Sequence, residues 1–553
     1  MALNDPSIPA LLRRRAREAP DATILRRKDR GIWKTTNWAD LARQAHAFTA
    51  ALSAAGLPRG AVVGVLSEIS APAVAADLGT LGAGMVALAI YPSDPADAVA
   101  HVLRDAGCAL IFVEGEEQLD KILHIRDRCP ALRRVVIFDM KGLYDFVDPT
   151  CEGLTEFLAR GTGGDSADCM PDETAVLAYT AGSTGAPRGV RLSHRNIMAQ
   201  INAALVLTGI GAGDERLAFL PLALLNERVL GLYLALAVDC ISNLVESVET
   251  VPENLAEVRP TVLIAPPRVW QRLATGLAGA AAGATRVQRG LFNWALGSGS
   301  ALARRLVIRP ALATIGLDRM RCGWVGGAPV APALLERYAT LGIHLTEFYG
   351  LTEAGGLAQL DRANPAVSLR ISADGEIQIR GDHVALSYQD GGALTDSEGW
   401  LSTGDIGRLE HGRVRIEGRA SERIVRRDST LIMPSGLETA LRTSRFIADA
   451  LVLDGGPAGL ACLVMVDQDE LDDWAQSQDM PLGNFAALIQ SDAVRQLLQG
   501  EIDRVNATAS ANLISFTVID RRLEPGDPEL TPMMLLRRGY VTEKYHNRTI
   551  SVP

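Results

Sequence analysis

Short apolar runs that alternate with amphipathic helical stretches set the fold class of this chain. Residues 61–66, 109–113 and 134–138 read as buried strands. Between them, 95–106 has helical periodicity, with Ser93 or Asp94 as its cap, and a second helical stretch reaches Arg128. Strand–helix–strand units of this kind build a parallel sheet. Further buried strands are expected at 174–179, 217–220, 262–265 and 323–325. Residues 141–170 are polar, glycine-rich and aperiodic, as a surface connection would be. The pattern changes after about residue 370. Residues 376–380 and 414–417 alternate in and out, as half-buried antiparallel strands do. Residues 450–453 and 462–466, joined by Gly455-Gly456-Pro457, read as a hairpin, and 484–506 as one long helical stretch. The chain has 553 residues, more than one core can fill. A small α+β domain from about Arg419 follows from the change of pattern.

The net charge of −10, without a basic tract, argues against nonspecific binding to nucleic acid or anionic lipid. Seven scattered cysteines include no C-x-x-C pair, which favours reduced thiols over zinc or a disulfide framework. The first fifteen residues lack an apolar core of signal-peptide type, so a cytoplasmic protein is expected. The most apolar stretch, 217–244, is interrupted by Asn226-Glu227-Arg228 and does not make a transmembrane span.

The strand at 174–179 leads into YTAGSTGAPRGVRLSH, residues 179–194. Glycines let backbone N–H groups approach phosphate oxygens closely. The spacing is not that of a Walker A loop, because Gly182, Gly185 and Gly189 are followed by no Lys-Ser/Thr pair. The hydroxyls of Thr180, Ser183 and Thr184 can donate to phosphate, and Arg188 adds positive charge. A plain strand-to-helix turn of small residues would not need three hydroxyls, three glycines and a basic residue together.

The segment resembles the ATP-loop signature YTSGTTGxPKGV of the adenylate-forming superfamily, with Arg188 at the usual lysine. The resemblance extends over nearly the whole chain. LPLALLNER at 220–228 is similar to the LPLAHxxER segment of long-chain fatty acyl-CoA synthetases, with Leu224 at its aromatic or histidine position. Pro267-Arg268-Val269-Trp270 resembles their PRVW, Gly326-Gly327-Ala328-Pro329 their GGAP, and Tyr349-Gly350-Leu351-Thr352-Glu353 their YGxTE. WLSTGDIG at 400–407 matches W-x-x-TGD-x-G, and Gly418-Arg419 opens the hinge segment.

The resemblance implies a large N-terminal domain, 1–417, of layered α/β sheets with a distorted β-barrel-like part. A small mobile α+β lid domain, 418–553, would follow. It implies ATP-dependent activation of a carboxylic, fatty-type acid to an acyl-adenylate, then transfer to a thiol such as CoA. Catalytic roles would fall to Thr352 on the α-phosphate, to Glu353 and to Arg188. Glu353 and Thr184 would hold Mg²⁺. Nucleotide contacts would come from Thr180, Gly182, Ser183, Thr184 and Gly185, from Gly327, Ala328, Tyr349 and Gly350, and from Asp405 and Arg419 at the ribose. The strand C-termini are where open α/β sheets place such ligands.

The sequence also departs from the family. The family's C-terminal lysine, in a segment like LTPTLKLKR, corresponds to Leu535 in LTPMMLLRR. An isobutyl group supplies no charge to the transition state. Arg537 is two residues on and would face the same side of an extended segment; with Arg538 it otherwise reads as solvated. The hinge position is Ser421, and a glycine pair that admits pantetheine is Asp428-Ser429. The connection from Glu353 to Gly375 is shortened. Two alternatives to an acid–thiol ligase follow: a nucleotide-binding protein without adenylation activity, or an adenylating enzyme whose acceptor is a carrier protein, amine or hydroxyl.

Overall fold

The computed structural model describes residues 3–161, 163, 167–180, 187–283, 285–298, 300–359, 367–410, 413–427, 429–456, 459–480, 484–509, 512–524, 526–531 and 534–549. Two eight-stranded sheets dominate. In the first, strands Thr174–Tyr179, Val86–Ile90, Val62–Leu66, Leu110–Val113, Arg134–Ile137 and Cys151–Gly153 run parallel in that spatial order. Gly189–Ser193 and Ser387–Tyr388 extend it antiparallel. The expected βαβ units are therefore present, and each crossover helix packs over a sheet face. Strand Val86–Ile90 is fully buried and has no alternating pattern, which is why it escapes a periodicity reading.

In the second sheet, Leu345–Leu351, Cys322–Gly326, Val262–Ala265, Glu215–Ala218, Ile241–Leu244 and Thr23–Asp29 are parallel neighbours. Antiparallel strands Gly355–Gln359 and Ile32–Asn37 close its edges. A third, four-stranded antiparallel sheet is ordered Ser368–Ile371, Glu376–Arg380, Leu401–Glu410, Arg413–Arg419. Beyond it, hairpin Ile447–Asp454 and Leu460–Val466 pairs with Leu513–Val518 in a separate sheet. That sheet has its own apolar core, in which Leu441, Val464, Leu498 and Val505 are buried.

Several expectations need correction. Residues 141–170 are more than a surface connection: they hold an edge strand and helix Leu154–Ala159, whose Phe157 is buried and packs edge-on against Phe112. Helix Ala96–Ala106 is preceded by Pro95, which makes no side-chain cap, instead of being capped by Ser93 or Asp94. The expected long helix divides into Phe485–Ile489 and Asp492–Ala509, because Ser491 caps a new start by accepting from the Val494 N–H.

The charges that interrupt 217–244 are inside the protein. Arg216 pairs with Glu227, and Arg228 pairs with Asp77, which also accepts from the Tyr233 hydroxyl at 2.5 Å. All five side chains are buried, so each charge is matched where water cannot reach it. Among the described residues no helix is long and apolar enough to cross a membrane. The seven cysteines are unpaired.

Candidate active site

The parallel strands of the second sheet set the level of the site. Gly326 is in register with Phe348, so Gly327 leaves the sheet beside Tyr349, which continues in its strand, at the sheet's carboxyl end. A side chain at Gly326 has no room, because a Cβ there would lie 2.5 Å from the Phe348 carbonyl oxygen. Gly327 turns the chain away with φ +81°.

Tyr349 reaches across to the third sheet. Its hydroxyl donates to Asp405 Oδ2 at 2.6 Å, and Arg419 Nε lies 3.0 Å from Asp405 Oδ1. Asp405 and Arg419 are register partners on adjacent strands, so the pair is fixed by the ladder. The WLSTGDIG string explains the local geometry. Thr403 donates to the Ile377 carbonyl at 2.8 Å, and Gly404, at φ +75°, donates its N–H to Glu376 Oε1 at 2.7 Å. Burial pushes the Asp405 carboxyl above its usual range, opposed by Arg419 and by the Tyr349 hydrogen bond. Burial and the facing Asp405 raise the Tyr349 phenol, which keeps it a donor.

A second group forms where the same strand ends. Glu353 Oε1 accepts from the Tyr388 hydroxyl at 3.1 Å. The Arg188 guanidinium stacks 3.6 Å from the centre of the Tyr388 ring and pairs with Asp390 at 3.0 Å. Arg188 and Glu353, distant in sequence, are thus gathered around one tyrosine. Tyr388 stands on a two-residue strand paired with the outgoing arm of the loop. Both partners of the Arg188–Asp390 pair are about half exposed, so the pair can open at small cost. The Tyr388 phenol is pushed up to about 12, first by burial and then by Glu353.

Thr180 closes the base of the loop. Its N–H donates to the Arg188 carbonyl at 3.0 Å, and its hydroxyl accepts from the Arg188 N–H at 3.1 Å. Gly182, Ser183, Thr184 and Gly185 lie outside the described residues. So does Asp428. Tyr179 is anchored below the loop by its hydroxyl, which donates to Asp105 at 2.6 Å. Thr352 stands one residue before Glu353 at the same strand end, and Gly350 pairs with Gly356.

A pocket beside this site is walled by Gly327, Ala328, Pro329 and Arg268 on one side and by Arg442 and Leu535 on the other. Leu535 therefore projects toward the strand-end glycines from the C-terminal part of the chain. It is set by a tight turn in which Met534 has φ +60°, Thr531 N–H donates to Leu535 O at 2.8 Å and Leu535 N–H donates to Thr531 Oγ1 at 3.2 Å. Beyond the turn Leu536 bridges Leu530 in antiparallel pairing, so residues 535–537 are locally extended, as the alternation of Arg537 with Leu535 expects. Arg537 Nε donates to the Leu530 carbonyl at 2.7 Å. Arg538 is not solvated either: it pairs with Glu438 and donates to Val452 O at 3.0 Å. Arg268, which lines the pocket together with Arg442 and Leu535, donates to Met534 O at 3.3 Å.

Two hinge-region departures also have positions. Ser421 is exposed in the turn Ala420–Glu422. Ser429 has φ +65°, a left-handed backbone that glycine adopts more readily.

Sequence reasoning missed Tyr388 and Asp390. Neither belongs to a recognisable string; only the turn-forming QDGG after Tyr388 marks the place. The Trp270 of the PRVW string is structural. Its indole donates to Trp324 O at 3.0 Å, and its ring meets Tyr338 edge-on at 5.2 Å. Leu225 and the 229–237 run are core residues.

The carboxylate-held tyrosine at the strand ends and the loop-base arginine thus stand together at the carboxyl edge of layered α/β sheets. The AMP-binding enzyme family model matches residues 12–373, and the chain belongs to that family. It is 28% identical to the long-chain-fatty-acid–CoA ligase FadD15 of Mycobacterium bovis (strain ATCC BAA-935 / AF2122/97), covering 98% of this chain and 96% of the relative. It is 27% identical to the long-chain-fatty-acid–CoA ligase ACSBG2 of Xenopus laevis, over 89% and 76% of the two chains. Among solved structures, the adenylation domain of a carboxylate reductase from Mycobacterium chelonae superposes with a TM-score of 0.79 at 19% identity, over 98% and 90% of the chains. The anthranilate CoA ligase AuaEII, in complex with anthranoyl-AMP, superposes with a TM-score of 0.72 at 17% identity, over 97% of each chain. These two likenesses bear on the fold.

Proposed function

We propose that this chain uses ATP to activate a carboxylic acid of fatty type as its acyl-adenylate and passes the acyl group to a thiol such as CoA. The observation that carries the proposal is the Tyr349–Asp405–Arg419 arrangement beside Gly327 at the sheet's carboxyl end. In this reading Asp405 accepts from the ribose hydroxyls with Arg419 alongside, and Gly327-Ala328 flank the base. Tyr349 and Gly350 line the nucleotide, Thr352 bonds the α-phosphate, and Thr180 with residues 182–185 surrounds the outer phosphates. Arg188, released from Asp390, stabilises their charge.

Among the described residues no three acidic, histidine or cysteine side chains converge to cage a metal. A lone carboxylate, Glu353, fits Mg²⁺ that is otherwise held by phosphate oxygens and water. Thr184 is the second proposed ligand. Bound Mg²⁺ would neutralise phosphate charge, while Tyr388 orients the Glu353 carboxylate. The proposed domain boundary is 417/418, with the lid from Gly418 onward.

Leu535 supports a second reading. Leu535 reaches the pocket without a charge, so the chain would bind nucleotide with little or no adenylation. Carboxylate-dependent ATP–pyrophosphate exchange over a panel of fatty, aryl and amino acids separates the two. Exchange with a fatty acid supports the ligase; AMP binding without exchange supports the second reading. Product analysis with CoA, carrier protein and amines side by side then identifies the acceptor.

A further inference from the structure

Helix Arg286–Ser298 and the helical run from Ala301 to Ala313 pack together as a hairpin. Helix Arg286–Ser298 turns Phe292, Ala295 and Leu296 inward. It leaves Val287, Leu291 and Trp294 at 80%, 48% and 58% exposure. Their spacing of i, i+4 and i+7 places them in one stripe. The helical run from Ala301 to Ala313 repeats the arrangement: Val307, Ile308 and Leu312 face the core, while Leu302 and Leu306 are 65% and 64% exposed. Five large apolar side chains on two packed helices make an unusual surface for a protein free in water.

The charges around the stripe are of one sign. Arg286, Arg289, Arg304, Arg305 and Arg309 are exposed, and among the described residues none of them has an ion-pair partner. From residue 258 to residue 317 the chain has eight arginines and no lysine, aspartate or glutamate, in a protein of net charge −10. The first acid after this stretch, Asp318, is occupied by Arg259 at its start. The overall negative charge that argues against anionic partners is therefore absent from this one face.

We infer that the 286–313 hairpin docks the protein on an anionic lipid bilayer, with the apolar stripe at the acyl boundary and the arginines on headgroup phosphates. A helix lying in the interface combines an apolar stripe, a flanking tryptophan and unpaired cations in this way. Guanidinium forks match phosphate oxygens. A nucleic-acid groove would use the arginines but leave Val287, Leu302 and Leu306 without a role. The inference stands on this surface alone and does not depend on the adenylation chemistry or on Leu535.

The test is cosedimentation of the full chain with phosphatidylcholine vesicles, with and without phosphatidylglycerol. Binding is expected only to the phosphatidylglycerol vesicles and weakens as salt is added. Arg289→Gln and Arg305→Gln should each weaken binding by about fivefold. Trp294→Ser should weaken it as well, and the thermal midpoint of every variant should stay at the wild-type value, since these side chains touch no core. Equal binding to both vesicle types, or binding unchanged in the variants, overturns the inference. So does a dimer abolished by Trp294→Ser without vesicle binding, which would assign the face to a second copy. Duplex DNA binding lost in the arginine variants, again without vesicle binding, would assign it to nucleic acid and overturn the inference equally.

Discussion

Asp405 receives a hydroxyl from Tyr349 and a guanidinium from Arg419 while buried among the strand ends. A carboxylate so held is positioned before any ligand arrives. Asp405→Asn keeps the shape and removes the charge. Hydrogen bonds to a charged group contribute about 1.5–3 kcal/mol each, so AMP affinity measured by calorimetry is expected to fall about tenfold to a hundredfold. Unchanged affinity would remove Asp405 from the ribose site. Leu535 tests the other side of the pocket. Leu535→Lys places an ammonium beside Gly327-Ala328, and a transition-state contact of this kind is worth about 10²–10³ in rate. Pyrophosphate exchange should rise by that factor if the 531–535 turn is the only defect.

Glu68 gives a pH prediction. Burial, then Glu114, Glu249 and Glu117, raise its carboxyl from an ordinary 4.5 to about 7. The folded state therefore favours the protonated acid. Its stabilising contribution is complete below the unfolded value and is lost as pH rises through about 7. The thermal midpoint of Glu68→Gln should match wild type in acid, near the unfolded value, exceed it increasingly as pH rises to about 7, and exceed it by a constant margin above that. A constant difference across that window would show that Glu68 does not titrate there. At this scale the sequence was informative where a short string fixes backbone and side chain together, as in STGD and YGLTE. It was silent on Tyr388, because a tyrosine on a two-residue strand becomes part of the site only when that strand joins Gly189–Ser193.

Among elements, the buried parallel strands were legible from apolar runs bounded by glycine or proline. Their partners were not, because register comes from packing. The turn 531–535 shows the limit. Alternation in an extended segment puts Arg537 on the side of Leu535, but it does not show that Met534, at φ +60°, folds the chain back so that Leu536 bridges Leu530 and the Arg537 guanidinium is taken by the Leu530 carbonyl. A left-handed methionine leaves no sequence signal, unlike the glycines at 327 and 404. Register at the site can itself be tested. Gly326→Ala places a methyl group 2.5 Å from Phe348 O, so the strands Cys322–Gly326 and Leu345–Leu351 must separate. Overpacking of this kind costs about 1–3 kcal/mol. Because Tyr349 follows Phe348, AMP affinity should fall along with the unfolding midpoint. A lower midpoint with full affinity would show that the shift stays below the site.

For the molecule as a whole, a parallel α/β sheet and a separate C-terminal α+β part were legible from the apolar runs and the change of pattern near residue 370, whereas the division of the strands into two large sheets and the placement of one part on the other were not. Among the described residues few polar contacts mark that placement. Arg268 donates to Met534 O at 3.3 Å and Gln271 to Arg442 O at 3.4 Å, and Gly526 packs near the Ser93 carbonyl. Each side has its own buried cluster, and modest interfaces between such units permit relative motion. Tyr349, Glu353, Tyr388 and Asp405 all lie before the proposed boundary, and Arg419 lies on the strand that crosses it. A fragment of residues 1–423 keeps all of them and loses Leu535 with the wall of the pocket it forms. It should unfold cooperatively and bind AMP within about tenfold of the full chain, since it keeps the charge-assisted bonds at the ribose. It should give no pyrophosphate exchange, even under conditions where the full-length Leu535→Lys chain exchanges. A cooperatively folded fragment that fails to bind AMP would place part of the nucleotide site on the C-terminal side. The approach of Leu535 to Gly327 would then be a binding contact rather than a catalytic one.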